Sequence, residues 1–328
     1  MAAAPAPLVR VVRSGVQESI HVGDVAVCDT SGRLVASAGD PDRGLFIRSS
    51  AKPVQATVSL DAIGEEHLPD RVIAIMCASH DGTPVQIRAV REVLRRGGVA
   101  VRDLRTPAAW PSDPASAKRL ARPTPLYHNC SGKHAGMLWA SSGRGWALPT
   151  YRNRSHPLQR RVLRAVHLLS GEEDIAIGVD GCGVPVHGVT LRGVATMYAR
   201  LAEPDRAGEL APSVVRVTSA MRAEPDLIGG HDRQDSEIMR ATGDVVVKYG
   251  AEALDAAVSL GAGLGIALKV ADGSYRAAGP GMISVLDQLG LLSAGARRAL
   301  ASRASPPVLG GGRPVGRLEP VVRLRGKG

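Results

Sequence analysis

The chain has 328 residues, of which 44% are hydrophobic and 22% charged. That is enough length and apolar content to bury one large or two medium globular cores. Aromatic residues make up only 3%, so Ala, Val, Leu and Ile must fill the core, and a base-stacking nucleic-acid surface has little to build on despite the net charge of +10. The 41 basic residues divide into 35 Arg and 6 Lys, scattered along the chain, which is the pattern of a solvated basic surface. A lysine amine can lose its charge on burial whereas a guanidinium cannot, and six lysines are few enough to read singly.

The start, MAAAPAPLVRVVRSG, lacks the apolar stretch of a secretory signal, and no run reaches membrane-spanning length. Cys28, Cys77, Cys130 and Cys182 are widely spaced without a Cys-x-x-Cys pair, which argues for a reducing, cytoplasmic setting and against a disulfide scaffold. In chain order, residues 1–7 are expected to be disordered. VQESIHVGDVAVCDTSGRLVASA (16–38) alternates apolar and polar positions around Ser31-Gly32, a hairpin signature. A helix is expected to begin near Ser49 or Ser50, with Pro53 confining its first turn. IAIMCASHDGTP (73–84) reads as a buried strand ending at Ser79, His80, Asp81 and Gly82. Thr83 as N-cap, Pro84 at the first helical position and Gly97 as stop bound a helix. Helical spacing recurs from Ser155 through Leu169 and over Val194, Met197, Tyr198 and Leu201. IAIGVDGCGVPVHG (175–188) reads as a strand breaking into a glycine-rich loop, and DVVVKYG (244–250) as a strand. GIALKVADGSYRAAG carries the hairpin signal Asp272-Gly273, and 305–328 reads as an extended Gly/Arg/Pro-rich tail. The expected fold is α+β: one antiparallel sheet built from both chain termini, covered by a helical insertion, in a single domain spanning 8–304 with a helical subdomain.

The chemistry concentrates in a few stretches. FIRSSAKPVQA places Ser49 and Lys52 three apart, on one face of a first helical turn. Lowering a lysine pKa from ~10.4 to near 7 takes about 4–5 kcal/mol of differential solvation or repulsion, which burial among small apolar residues beside Arg48 can supply. A neutral Lys52 could then take the Ser49 proton, while helix-start N–H groups stabilise an oxyanion. Ser79 at the end of its segment and Lys248 on its valine strand form a second hydroxyl and amine, although a lysine on a buried face can also snorkel. LYHNCSGKHAGM (126–137) compresses His128, Cys130, Lys133 and His134, and the loop after Ile177 holds Asp180, Cys182 and His187. Ligand chemistry nominates Cys130 and Cys182, with His134 or Asp180 next, for an open zinc site. The alternative is two cysteines packed as small hydrophobes.

RSSAKPVQA, CASHDGTP, YHNCSGKHAGML, GVDGCGVPVHG and VVVKYGAEAL, in this order, resemble the rhizobial-type L-asparaginase family, also called asparaginase II. With the opening VVRSGVQESIHVGDVAV and the late LGIALKVADGSYRAAGPG, the resemblance covers roughly residues 8–320. It implies a fold similar to serine β-lactamases and glutaminases, a homodimer, and hydrolysis of a small amino-acid amide, L-asparagine, to aspartate and ammonia. By motif it implies Ser49 with Lys52 and Ser79 with Lys248 as catalytic pairs. It also implies Zn2+ on Cys130, Lys133 and Cys182, with His134 and Asp180 supporting the ligands; Arg48 and His80 are candidate substrate-binding residues. The sequence departs from the family pattern at His231, Asp232 and Gln234 and at Ala253, where glycine is usual. Within this reading Ser49 is the favoured nucleophile, Lys52 its base, and Ser79 with Lys248 a relay. The alternatives are another amide substrate (glutamine or a β-lactam), a zinc-activated water as nucleophile, and, from a different class, a nucleic-acid-binding protein on an enzyme scaffold.

Overall fold

The computed structural model describes residues 3–65 and 67–326. Twelve strands are present among them: β1 (Ala6–Arg13), β2 (Val16–Cys28), β3 (Leu34–Ala38), β4 (Gly44–Phe46), β5 (Ala176–Val179), β6 (Pro185–Thr190), β7 (Val245–Gly250), β8 (Leu254–Ser259), β9 (Leu264–Val270), β10 (Pro307–Gly310), β11 (Arg313–Pro320) and β12 (Arg325–Gly326). The large antiparallel sheet runs β10-β11-β1-β2-β9-β8-β7, with β3 on β2 and β12 on β3, so both chain ends meet in one sheet. A second sheet, β4-β6-β5, is small. The class is α+β, and the sheet is built from both termini as its sequence patterns imply.

Period-2 geometry divides the sheet's side chains between two cores. Ala26, Cys28, Val246, Ala256 and Val258 face the helical insertion. Val25, Val27, Val245, Val247 and Ala257 face the opposite layer, formed by the helices Tyr275–Gln288 and Ala294–Ala304. The sheet is therefore covered on both faces, which explains why its central strands read as unbroken apolar runs.

Several local expectations change. Asp272-Gly273 does turn the chain, with Gly273 at φ 73° and the Ser274 N–H donating to Asp272 Oδ1. It leads into the helix Tyr275–Gln288 and not into a partner strand, because Ala277, Ala278, Met282, Val285 and Leu286 repeat at helical spacing. Residues 73–76 are the end of the helix Asp70–Met76 and not a strand; a short continuous apolar run carries no period to tell the two apart. The stretch expected as a buried strand near 175 is β5, on an edge of the small sheet, with Val179 81% exposed. The expected tail is part of the sheet: β10 pairs with β11, and β11 with β1, burying Val308, Leu318 and Val322. Its glycine run is the turn of that hairpin, with Gly311 and Gly312 at positive φ. Of the expected disordered N-terminus, Ala6 and Pro7 lie in β1, and residues 1–2 fall outside the described residues. Among the described residues no helix is long and apolar enough to cross a membrane.

The helix Lys52–Ile63 is the pillar of the insertion. It is buried from Lys52 to Leu60 on every face, packed between the helices Ser131–Gly143, Pro157–Ser170 and Ala211–Ala223. The helix Leu191–Ala199 lies against β9 so closely that a Cβ on Gly265 would stand 2.0 Å from the Ala195 carbonyl oxygen and 2.3 Å from the Ala199 nitrogen. Backbone cannot yield as a side chain does, so Gly265→Ala is expected to cost about 3 kcal/mol or more in a urea titration. A change below about 0.5 kcal/mol would contradict this packing.

Candidate active site

The chain enters the insertion through a strained turn. The Ile47 N–H donates to the His187 carbonyl at 2.9 Å, tying the segment to β6. Arg48 then adopts φ +52°, a left-handed conformation costing a non-glycine residue about 1–2 kcal/mol. Its guanidinium Nε donates to Asp180 Oδ1 at 2.8 Å. A 3-10 turn, Arg48–Ala51, precedes the helix, with Pro53 in its first turn as expected. Ser50 is locked in place, its hydroxyl donating to the Leu254 carbonyl at 3.0 Å and its carbonyl accepting from Tyr198 Oη at 2.8 Å. Among the described residues Ser49 Oγ makes no hydrogen bond, which leaves that hydroxyl available.

Lys52 is completely buried. Its Nζ lies 2.5 Å from the Ala78 carbonyl oxygen, 2.8 Å from Ser79 Oγ and 3.4 Å from the Asn129 carbonyl oxygen. Burial, reinforced by the charge of Lys133, pushes its pKa down, against the opposing pull of Cys130 and Cys182. Ser79 is held by backbone: its N–H donates to the Ile228 carbonyl at 2.7 Å, and the Asp81 N–H donates to Gly229 at 3.0 Å. His80 Nε2 sits 2.8 Å from Ser131 Oγ. Burial holds its imidazole near pKa 3, and therefore neutral, while its Nδ1 is buried without a partner.

The amine beside Ser79 is thus that of Lys52. Lys248, expected there, comes from β7 with its side chain fully buried, but its Nζ turns to Asp235 Oδ2 at 3.4 Å and to the Tyr249 carbonyl at 2.8 Å. No hydrogen bond joins Lys52 to Ser49 or Lys248 to Ser79 among the described residues. Asp235, on the first turn of the helix Gln234–Thr242 and fully buried, escapes the sequence reading. One signal could have found it: a lysine buried on a valine strand requires an anion, and an acid at a nearby helix start is a candidate.

A second cluster also acts on Lys52. Lys133 Nζ is 3.2 Å from Cys182 Sγ and 3.9 Å from Asp180 Oδ2, and Cys182 Sγ is 3.6 Å from the same carboxylate oxygen. The neighbouring Cys182 thiol, with the charges of Lys52 and Lys133, holds the Cys130 thiol well below its ordinary range. Two thiols and an amine are gathered here, a donor set of the softness zinc takes once the amine gives up the proton that the thiols and Asp180 favour. Among the described residues no three His, Cys, Asp or Glu side chains form a metal-binding group. His134 stands behind, its Nδ1 2.6 Å from Tyr151 Oη and its Nε2 buried without a partner. Gly132 permits the assembly: a Cβ there would lie 2.0 Å from the Ile75 carbonyl oxygen.

A family model for L-asparaginase II matches residues 9–320. No curated protein sequence matches. Among solved structures, a β-lactamase from Mycobacterium bovis is similar at 16% identity, covering 86% of this chain and 95% of that one, with a TM-score of 0.42. A Bacillus glutaminase is similar at 13% identity, covering 82% and 91%, with a TM-score of 0.47. At these values the family match carries the assignment.

Gly132→Ala is expected to cost about 3 kcal/mol or more in a urea titration, since the Lys133 turn can recede only by leaving Ile75. A stable variant with unchanged activity would show that the close approach is dispensable.

Proposed function

Because the chain belongs to the L-asparaginase II family and is an amidohydrolase, we propose that it hydrolyses L-asparagine to L-aspartate and ammonia by serine-lysine acyl transfer. One observation carries the reading: a wholly buried amine, Lys52, lies 2.8 Å from Ser79 Oγ and one turn from the unengaged Ser49 hydroxyl. A neutral amine has two N–H bonds and one lone pair. The carbonyls of Ala78 and Asn129 can take the two N–H bonds, which leaves the lone pair for a hydroxyl proton.

In the proposed sequence Ser49 Oγ attacks the side-chain amide carbon of asparagine, and its proton passes through Ser79 to Lys52. The C–N bond breaks, and that proton leaves on ammonia. Water, deprotonated by the same amine, then hydrolyses the aspartyl ester and restores Ser49. Arg48 commits only Nε to Asp180, so its terminal N–H groups remain for the substrate's α-carboxylate. Neutral His80, next to Ser79 in the chain, orients Ser131. Cys130, Lys133 and Cys182 would hold zinc, supported by Asp180 and His134. When bound it would supply a Lewis acid that orients the substrate's polar groups. The four unpaired, buried cysteines support a cytoplasmic setting; we assign a homodimer from the family.

A second assignment of the nucleophile, Ser79, is favoured by its contact with Lys52. Ser49→Ala and Lys52→Met are each expected to lower asparagine-dependent ammonia release about a thousandfold or more. Mass spectrometry of enzyme quenched during turnover should find an aspartyl ester on the peptide carrying Ser49; an ester on Ser79 would reverse the two roles, and glutamine turnover exceeding asparagine turnover would replace the substrate. Chelation is expected to raise KM more than it lowers kcat, and Cys130→Ala should lose bound zinc by elemental analysis. Turnover that survives both Ser49→Ala and Ser79→Ala but stops on chelation would point to a zinc-activated water.

A further inference from the structure

The Lys248 amine meets an environment unlike that of Lys52. Its ion pair with Asp235 has both side chains at 0% exposure, alone in this among the pairs of the described residues. On its other side lies the face of the Tyr249 ring, 4.1 Å from Nζ to the centroid, and the Arg233 guanidinium also stands over that ring at 4.4 Å. Asp255 on β8 shares the pocket. Gln234 Nε2 donates to one of its oxygens, the other has no partner, and burial beside Asp235 pushes this carboxyl up to about 7.

The charges facing Lys248 can be counted. Asp235 comes from the helix Gln234–Thr242, Asp255 from β8 and Arg233 from the turn before that helix; Tyr249 belongs to its own strand. Cys77 and Asp81 come from the segment around Ser79, and Lys52 from the pillar helix. Arg233 is matched by Asp81, 3.1 Å away. The remaining acids then balance one ammonium if Asp255 stays protonated. Lys52 and Lys248 oppose each other's protonation, and the Asp235 carboxylate, 3.4 Å from Lys248, favours the charge on Lys248. Environments that separate two like groups assign their roles.

We propose that Asp235 is a positioning residue that keeps Lys248 in its ammonium form, so that Lys248 is the fixed cation of the site. This deepens the serine-lysine reading and rests on it. It also revises the expectation that Lys248 acts with Ser79 as a relay. A fixed cation near Lys52 disfavours a second positive charge there, which helps to keep that amine available as a base. Burial lowers the Lys248 pKa to about 8, with Asp235 working against burial, so removing the anion must lower it further.

Six lysines make the test practicable by NMR of the full chain labelled with [ε-13C]lysine, with the Lys248 resonance assigned by its absence in Lys248→Arg. In the wild type, Lys248 is expected to be charged at pH 7. In Asp235→Asn its titration should move down by about one pH unit or more, a tenfold loss of proton affinity. The alkaline limb of kcat/KM for asparagine should move with it, and Asp235→Glu should restore both. In Lys248→Arg, whose charge does not titrate, Asp235→Asn should leave that limb unmoved. A neutral Lys248 at pH 7 in the wild type overturns the proposal, and this measurement needs no variant. So does an Asp235→Asn profile that coincides with the wild type. Absence of ammonia release by the wild type would defeat the hydrolase reading, while the titration would still decide whether Asp235 sets the charge of Lys248.

Discussion

A primary amine enclosed on every side governs this structure. Lys52 begins a helix with no solvent face, and its Nζ must find polar partners inside the protein because water does not reach it. It finds them in carbonyls and a hydroxyl from segments remote in sequence, Ala78-Ser79 and Asn129. Those segments must stop being regular at that point, since helical carbonyls would be spent on their own helix. The helix Asp70–Met76 ends three residues before Ser79, and the helix Ser131–Gly143 starts just after Asn129. Both ends are pinned by backbone contacts, such as Ser79 to Ile228 and His80 to Asn129. The site is where several helices of the insertion terminate around one nitrogen.

Around that nitrogen the buried charges are arranged in opposition. On one side stand the thiols of Cys130 and Cys182 with Lys133 and Asp180; on the other, Lys248 with Asp235 and Asp255. Each group contains both signs, so neither leaves an uncompensated charge in the interior. The two groups differ in kind. Thiols beside an amine make a soft donor set suited to a metal, whereas a carboxylate against an ammonium makes a permanent dipole. Lys52 meets both groups: burial and the charges of Lys133 and Lys248 favour its neutral form, while the Cys130 thiol opposes them. Arg48 links the first group to the nucleophilic turn, where its own left-handed backbone shows that the turn is set by its surroundings and not by local preference.

The candidate residues were legible in the sequence because they are of rare types. With only six lysines in the chain, Lys52, Lys133 and Lys248 each stood out against an apolar or glycine-rich context, and the cysteines did so for the same reason. Partnership was not legible. Ser49 and Lys52 are neighbours along the chain, yet the hydroxyl at Lys52 is that of Ser79, and the anion at Lys248 is Asp235, an acid indistinguishable by position from any other in a helix's first turn. Hydrogen bonds between remote segments depend on where each segment ends, and a short apolar run such as IAIM fits helix and strand equally well.

The fold divides along the same line. By itself the sequence determined the α+β class, the hairpin around Ser31-Gly32, the helix between Thr83 and Gly97, and the union of both termini in one sheet, because period and turn chemistry are local properties. Only the tertiary structure decided that the glycine run near 310 turns a hairpin and is not a tail. It decided too that Asp272-Gly273 opens a helix which covers the far face of the sheet, and that Lys52 and Lys248 take different partners. Each of these is settled by which apolar faces find cover, and that is a property of the assembled chain.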